Sequence, residues 1–452
     1  MGMNDLTQGS ETRAIVRFAI PMLIGNVFQQ FYQLVDSIIV GHGVGKEALG
    51  AIGASMPIIF LMVSLIIGVT MGATIMLSQY FGARDPERMR RTMDTAFIFL
   101  IGASIVVSIA GVFLSTPILR AMRTPDEILP HASQYLQIMF IGMIFLFGFY
   151  TVSAILRGLG DAKRPLYFLM IASLLNVVLD LLFVLVFRWG IAGAAWATVI
   201  AQGVSFVIGV AYMQRKPELR TTVSAMRFDP AIFRTMLKIG LPTGIQQSLV
   251  SFGFVALTRI VNPFGTDVIA GYTAATRLDS FAMLPAMNLS LAVSTFVGQN
   301  LGAGKPERVR RGFAAALAIG VGISIVLSVF LIVFREGMIG LFSTDPGVLR
   351  HGGEYLTIVT SFYVLIAAMF ITGGVLRGAG DTMVQMVITL IALWGVRIPA
   401  AALLSTTMGT AGIWWAIPAG WSVGCGLMFW YYLSGRWKKK AITAPPAPAA
   451  AA

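Results

Sequence analysis

The stretch GARDPERMRR (82–91) returns 220 residues later as GAGKPERVRR (302–311). Two further pairs keep that spacing: LRGLGD (156–161) with LRGAGD (376–381), and His131 and Tyr135 with His351 and Tyr355. A constant offset across separate blocks is the mark of a duplication with little insertion. The chain therefore reads as two copies of one unit.

Composition says what kind of unit. The 452 residues are 57% apolar and 12% charged, against ~45–50% and ~25% in soluble domains. Apolar runs long enough to cross ~30 Å of hydrocarbon recur along the chain. Reading them between breaks predicts twelve spans between residues 15 and 433, six in each copy. The expected fold is an all-α integral membrane protein, with twelve transmembrane helices in two tandem six-helix lobes. An even number of spans gives both copies one orientation, so a pseudo-twofold axis along the membrane normal is expected. The expected domains are an N-lobe (1–213), a cytoplasmic linker (214–238), a C-lobe (239–433) and a basic, then disordered, tail (434–452). No cleavable leader is expected, because the first apolar run is a full span without a small-residue cleavage site.

The net charge of +13 is mostly a topology signal. Arg and Lys gather in alternate loops, at 84–91, 157–164, 215–238, 305–311 and 436–440. By the positive-inside rule both termini are cytoplasmic. No nucleic-acid recognition motif accompanies the charge, so nucleic acid is not an expected partner. A single cysteine, Cys425, excludes an internal disulfide framework and a cysteine-built metal cluster. The LRGxGD blocks read as helix-terminating turns, although Gly-x-Gly-Asp also occurs in intramembrane proteases.

Acidic residues inside spans carry the functional signal, because intramembrane acids mark ion or substrate pathways by default. Asp36 falls in span one, Asp180 in span five and Asp279 in span eight. At ~1.5 Å per residue, Asp36, Asp180 and Thr198 of span six lie roughly 7–12 Å below the outer ends of their helices, in one layer. Tyr32 with Asp36, and Asn176 with Asp180, are four residues apart and share helix faces. Two carboxyls in low dielectric cannot both stay ionised cheaply, so a proton can be held there near neutral pH. Alternatively, oxygens of Asp36, Asn176, Asp180 and Thr198 suit Na⁺. At the repeat offset Asp36 maps to Ala256 and Asp180 to Ala400. A purely architectural polar clamp would more naturally survive in both copies, so the copies are expected to differ in role. Pro21 in span one, with Pro242 in the matching place of span seven, removes a backbone hydrogen bond and permits a kink or hinge. Arg277 and Asp279 are read either as a structural ion pair or as polar groups of the C-lobe.

With these motifs in place, the chain resembles, over nearly its whole length, the MATE family of multidrug and toxin extruders. Pro21, Tyr32, Asp36, Asn176, Asp180, Ala194 and Thr198 look like the N-lobe cation site of its DinF-like branch. The resemblance implies an antiporter exporting cationic or amphipathic compounds in exchange for H⁺ or Na⁺ by alternating access. It implies no enzyme activity, no cofactor beyond the coupling ion, membrane lipids as neighbours, a monomer and a bacterial inner-membrane location. The NorM-like branch carries a glutamate in span seven; here GLPTGIQQSLV (240–250) has Gln246, Gln247 and Val250 instead. The C-lobe therefore offers Gln246, Gln247, Arg277, Asp279 and Asn288 as polar or substrate-facing candidates. Two alternatives remain at this point. One is a lipid or lipid-linked saccharide flippase with Arg259, Arg277 and Arg397 holding phosphate. The other is an intramembrane enzyme using Asp36 and Asp180.

Overall fold

The computed structural model describes residues 5–220 and 223–443. Thr221 and Thr222 of the expected linker, and residues 444–452 of the expected tail, lie outside the described residues. The described chain is helical, with no strand among the described residues.

The helices run α1 (Glu11–Gly43), α2 (Lys46–Gly82), α3 (Pro86–Ala121), α4 (Leu129–Ile141), α5 (Met143–Gly158), α6 (Lys163–Asp180) and α7 (Gly190–Gln214) in the first copy. The second copy gives α8 (Pro230–Val261), α9 (Thr266–Ala282), α10 (Leu284–Gly302), α11 (Pro306–Val333), the short α12 (Arg335–Gly340), α13 (Pro346–Thr360), α14 (Tyr363–Gly378), α15 (Thr382–Leu390), α16 (Ile398–Met408) and α17 (Thr410–Leu433). Nine helices, counting α9 with α10 and α15 with α16 as one each, are long and apolar enough to cross a bilayer among the described residues; two bent pairs, α4–α5 and α13–α14, bring this to eleven. The twelfth expected span is α17. Its 24 residues cover about 36 Å, and its tryptophans, glycines and proline lower its hydropathy.

Sequence reading expected α4–α5 and α13–α14 as single spans. They bend by 49° and 51°, at Gly142 in one copy and Ser361–Phe362 in the other. The breaks sit at equivalent places of the repeat. Longer helices than expected follow from very short connections: only Val44 and Gly45's neighbourhood separates α1 from α2, and Gly409 alone separates α16 from α17.

The repeated motifs are turn devices. In GARDPERMRR, Arg84 takes a positive φ of 56°. Asp85 then caps α3 by accepting from the Arg88 N–H at 2.9 Å, with Pro86 opening the helix. Proline suits that position because its missing N–H has no helical partner to lose. The second copy puts Gly304 where Arg84 stands, at φ 68°. In LRGLGD, Gly160 adopts φ 82° and Asp161 accepts from the Lys163 and Arg164 N–H groups, both at 3.1 Å. The motif ends one helix and starts the next, as its loop position predicts.

The chain divides into two compact units, and three segments fall differently from the expected division: the start of α1, Gly82–Arg84 and the start of α8. Ile24–Phe81 and Asp85–Leu241 form the first; Asp5–Leu23, Gly82–Arg84 and the chain from Pro242 onward form the second. The start of α1 thus belongs with the second unit and the start of α8 with the first. Hydrogen bonds explain both. The Leu6 N–H donates to Gln299 at 2.9 Å, Lys305 donates to the Thr7 carbonyl at 3.0 Å, and Arg308 donates to the Gly9 carbonyl at 2.9 Å. Arg308 and Arg311 also pair with Glu11 at 3.3 and 3.6 Å. Burial works against the charge of Asp5, yet hydrogen bonds from Thr7 and Gln8 hold its carboxyl below the usual range. Ahead of α8, Asp229 pairs with Arg91 at 3.6 Å and its N–H donates to Thr95 at 3.1 Å. Each copy of the basic motif therefore clamps the segment that precedes the first span of the other copy.

Candidate functional site

The first unit gathers its acids. α1 carries Tyr32 and Asp36 on one face, α6 carries Asn176 and Asp180, and α7 carries Thr198. Asp180 is fully buried and Asn176 is 3% exposed, while Asp36, Tyr32 and Thr198 are half-buried. The carboxyls of Asp36 and Asp180 lie close enough to act on one another electrostatically. Tyr32 lies within electrostatic reach of both. The Asn176 amide donates to the Thr198 hydroxyl at 3.4 Å, and that hydroxyl donates to the Ala194 carbonyl at 3.1 Å. All five expected residues thus fall in one unit. Pro21 is buried within α1, in the part that packs with the second unit.

The backbone at Asp180 departs from an α-helix. Residues Leu181–Val186 form a π-helical turn, closed by a hydrogen bond from the Phe187 N–H to the Leu182 carbonyl at 2.8 Å. Such single-turn bulges occur often at functional sites. α7 packs against the turn through Gly193, where an added Cβ would lie 3.1 Å from the Phe183 backbone. No sequence signal marked the bulge.

The unpartnered atoms define the chemistry. Among the described residues, Asp36 Oδ1, both Asp180 oxygens and Asn176 Oδ1 are buried without a hydrogen-bond partner. Because the Asn176 amide is oriented by Thr198, its carbonyl is left over as an acceptor. A buried oxygen without a donor costs about 1–3 kcal/mol, more when charged. Four such oxygens in one unit favour positive charge: a proton on either carboxyl cancels that charge and gives one O–H donor, whereas a hard cation such as Na⁺ takes several oxygen ligands at once.

Sequence reasoning missed two tyrosines here. Tyr135 of α4, only 7% exposed, lies within electrostatic reach of Tyr32, Asp36 and Asp180, and Tyr150 of α5 lies within reach of Tyr32. The repeat held a usable signal, because Tyr135 recurs as Tyr355 and each lies near an acid of its own unit.

That second acid is Asp279, 7% exposed on α9. The Tyr355 hydroxyl donates to it at 2.5 Å, and the Tyr363 hydroxyl donates to its other oxygen. Of the two readings of Arg277 and Asp279, the ion pair is not present: none joins them among the described residues, and Arg277 is exposed. Residues two apart on a helix point about 200° from one another, so one faces the core and the other faces away. Gln246 donates to Thr389 at 2.8 Å, Gln247 is half-buried, and Asn288 donates to the Leu284 carbonyl at 2.8 Å. Of the three arginines weighed for phosphate, Arg259 and Arg277 are exposed and only Arg397 is buried.

Two six-span copies with acids buried inside the spans define a multi-pass membrane carrier. The MatE family model matches residues 21–182 and again 242–403, together well over half of the sequence, and the chain belongs to that family of transporters. The matched stretches begin 221 residues apart; at that spacing Asp36 pairs with Leu257 and Asp180 with Ala401. Neither acid recurs at either spacing. The chain is similar to the probable multidrug resistance protein YpnP of Bacillus subtilis, with 38% identity over 96% of this chain and 97% of the relative. It is 31% identical to the probable multidrug resistance protein YoeA of the same organism, over 95% of each chain. A solved multidrug resistance MATE transporter of the MOP superfamily, described in an outward-facing conformation, superposes with a TM-score of 0.90 at 24% identity, over 98% of this chain and 100% of that one. The fold is therefore that of MATE transporters, and the protein is a transporter, not an intramembrane enzyme.

Proposed function

We propose that this protein is a secondary antiporter that exports cationic or amphipathic small molecules in exchange for H⁺ or Na⁺, with Asp36 and Asp180 holding the coupling ion. The observation that carries the reading is the group of four buried acidic and amide oxygens left without donors in the first unit. Asn176 and Thr198 complete the oxygen set, Tyr32 borders it, and the pattern of these residues resembles the DinF-like branch. The names of the relatives, multidrug resistance proteins, support a drug-like substrate.

Coupling requires that ion and drug favour different conformations, or compete for one group. A cation entering along a 100 mV potential supplies ~2.3 kcal/mol, about fiftyfold in concentration. In this account, ion binding between the carboxyls rearranges α1, with Pro21 as the point of least backbone restraint. The alternating basic loops support cytoplasmic termini in a bacterial inner membrane, with lipid around a monomer.

The test is efflux of a fluorescent organic cation from proteoliposomes, with pH and Na⁺ gradients imposed separately. Asp36→Asn and Asp180→Asn are expected to lose gradient-driven efflux while remaining folded. Undiminished efflux in either variant would remove that residue from the coupling site.

A further inference from the structure

The unmet hydrogen-bonding needs beside Asp279 have the opposite sign. Around the acids of the first unit the unpartnered buried atoms are oxygens; around Asp279 they are nitrogens. Arg397 is 9% exposed, and among the described residues its Nε has no acceptor. Trp414, fully buried, likewise has an unpartnered Nε1. The two border the same aromatic group: Tyr272 stacks on Trp414 at 5.5 Å and lies within electrostatic reach of Arg397.

Asp279 does not satisfy Arg397. Both Asp279 oxygens are occupied by the hydroxyls of Tyr355 and Tyr363, and no ion pair joins Asp279 to Arg397 among the described residues. Arg397 thus has a counter-charge within reach, while its buried Nε–H is left without an acceptor. A buried donor in that state costs free energy unless a ligand completes it.

The setting is built rather than incidental. Arg397 closes a π-helical turn, Ile391–Arg397, between α15 and α16. α17 presses against that turn at Gly420, where an added Cβ would lie 2.8 Å from the Ala392 carbonyl and 2.9 Å from Arg397 Cβ. The guanidinium stands 5.6 Å above the centre of the Phe254 ring. Its planar fork matches a carboxylate through two parallel N–H bonds. Phe254 is 50% exposed and so leaves apolar surface beside the guanidinium for the body that carries the anion. The negative charge of Asp279 disfavours a dianion.

We propose that Arg397 is a recognition site for the carboxylate of an aromatic, carboxylate-bearing substrate. The site selects for amphiphiles that carry a carboxylate, and it rests on the transport reading above. The probes are a rhodamine carrying a free carboxylate and its methyl ester, which differ only in the anion. Binding to detergent-purified protein is read by fluorescence polarisation, and efflux by proteoliposome assay. Wild type should bind the carboxylate on the order of tenfold more tightly than the ester. Arg397→Gln should erase that preference and leave ester binding unchanged; Arg397→Lys should restore part of it. An unchanged preference in Arg397→Gln would overturn the proposal. Should Arg397→Gln not fold, competition by benzoate against the carboxylate dye on wild type decides, and failure to compete overturns it. Displacement by phosphatidylglycerol but not by benzoate would assign the site to a lipid phosphate instead, and so also overturn it. A carboxylate preference in binding with no ion-driven efflux of either dye would refute the antiport reading and leave this site standing.

Discussion

Replacing Tyr355 or Tyr363 by phenylalanine removes one of two hydroxyls that donate to Asp279, a carboxyl only 7% exposed. A hydrogen bond to a charged group contributes ~1.5–3 kcal/mol, and removing the donor leaves an oxygen buried and unmet. The expected cost is about 2 kcal/mol for either variant. Unfolding entropy of ~2.1 cal/mol/K per residue gives roughly 0.45 kcal/mol/K for a unit of about 220 residues, so the melting temperature should fall by about 4 °C. The assay is thermal unfolding of the detergent-purified protein, run as a double-mutant cycle with Asp279→Asn. Asparagine has no charge and only one carbonyl oxygen, so Tyr355→Phe should cost at least ~1 kcal/mol less in its presence. Unchanged melting in both tyrosine variants, or losses that simply add to that of Asp279→Asn, would refute this description of the second unit.

Two further outcomes follow from the packing. Arg308→Ala removes the bonds to the Gly9 carbonyl and Glu11, and it should raise amide hydrogen exchange across residues 5–11 several-fold, with little change elsewhere in the second unit. Gly420→Ala puts a methyl group against the Ala392 carbonyl and Arg397; it should destabilise by about 1–3 kcal/mol, read as a lower melting temperature and a reduced carboxylate-dye preference.

The parts of this protein that sequence made legible are those governed by periodicity. The 220-residue repeat reported the two six-span copies, and helical spacing with depth counting reported Tyr32, Asp36, Asn176, Asp180 and Thr198 as neighbours. Where geometry departs from an ideal helix, the sequence was silent. The π turns after Asp180 and before Ile398 change which residues face inward, and nothing in LLFVLV or IALWGVR marks them. The bend at Gly142 was hidden inside an unbroken apolar run. The ion-pair reading of Arg277 with Asp279 took closeness along the chain for closeness in space, whereas residues two apart on a helix face opposite ways. The tyrosines were overlooked for a different reason. Inside a bilayer they resemble lipid-facing or core aromatics, and only Asp279 and the paired carboxyls reveal that Tyr135, Tyr355 and Tyr363 face acids. The unit boundary within α1 and α8 was likewise invisible, since it depends on where Glu11 and Asp229 find arginines.

The central claim is that the first unit holds one positive ion between Asp36 and Asp180. Equilibrium binding of radiolabelled sodium to the purified protein, with proton release read in parallel by a pH indicator, tests it most directly. Wild type should take up sodium, or release protons on addition of an organic cation, at about one charge per chain, and the Asp36→Asn/Asp180→Asn double variant should do neither. Full ion binding in that folded double variant would contradict the account.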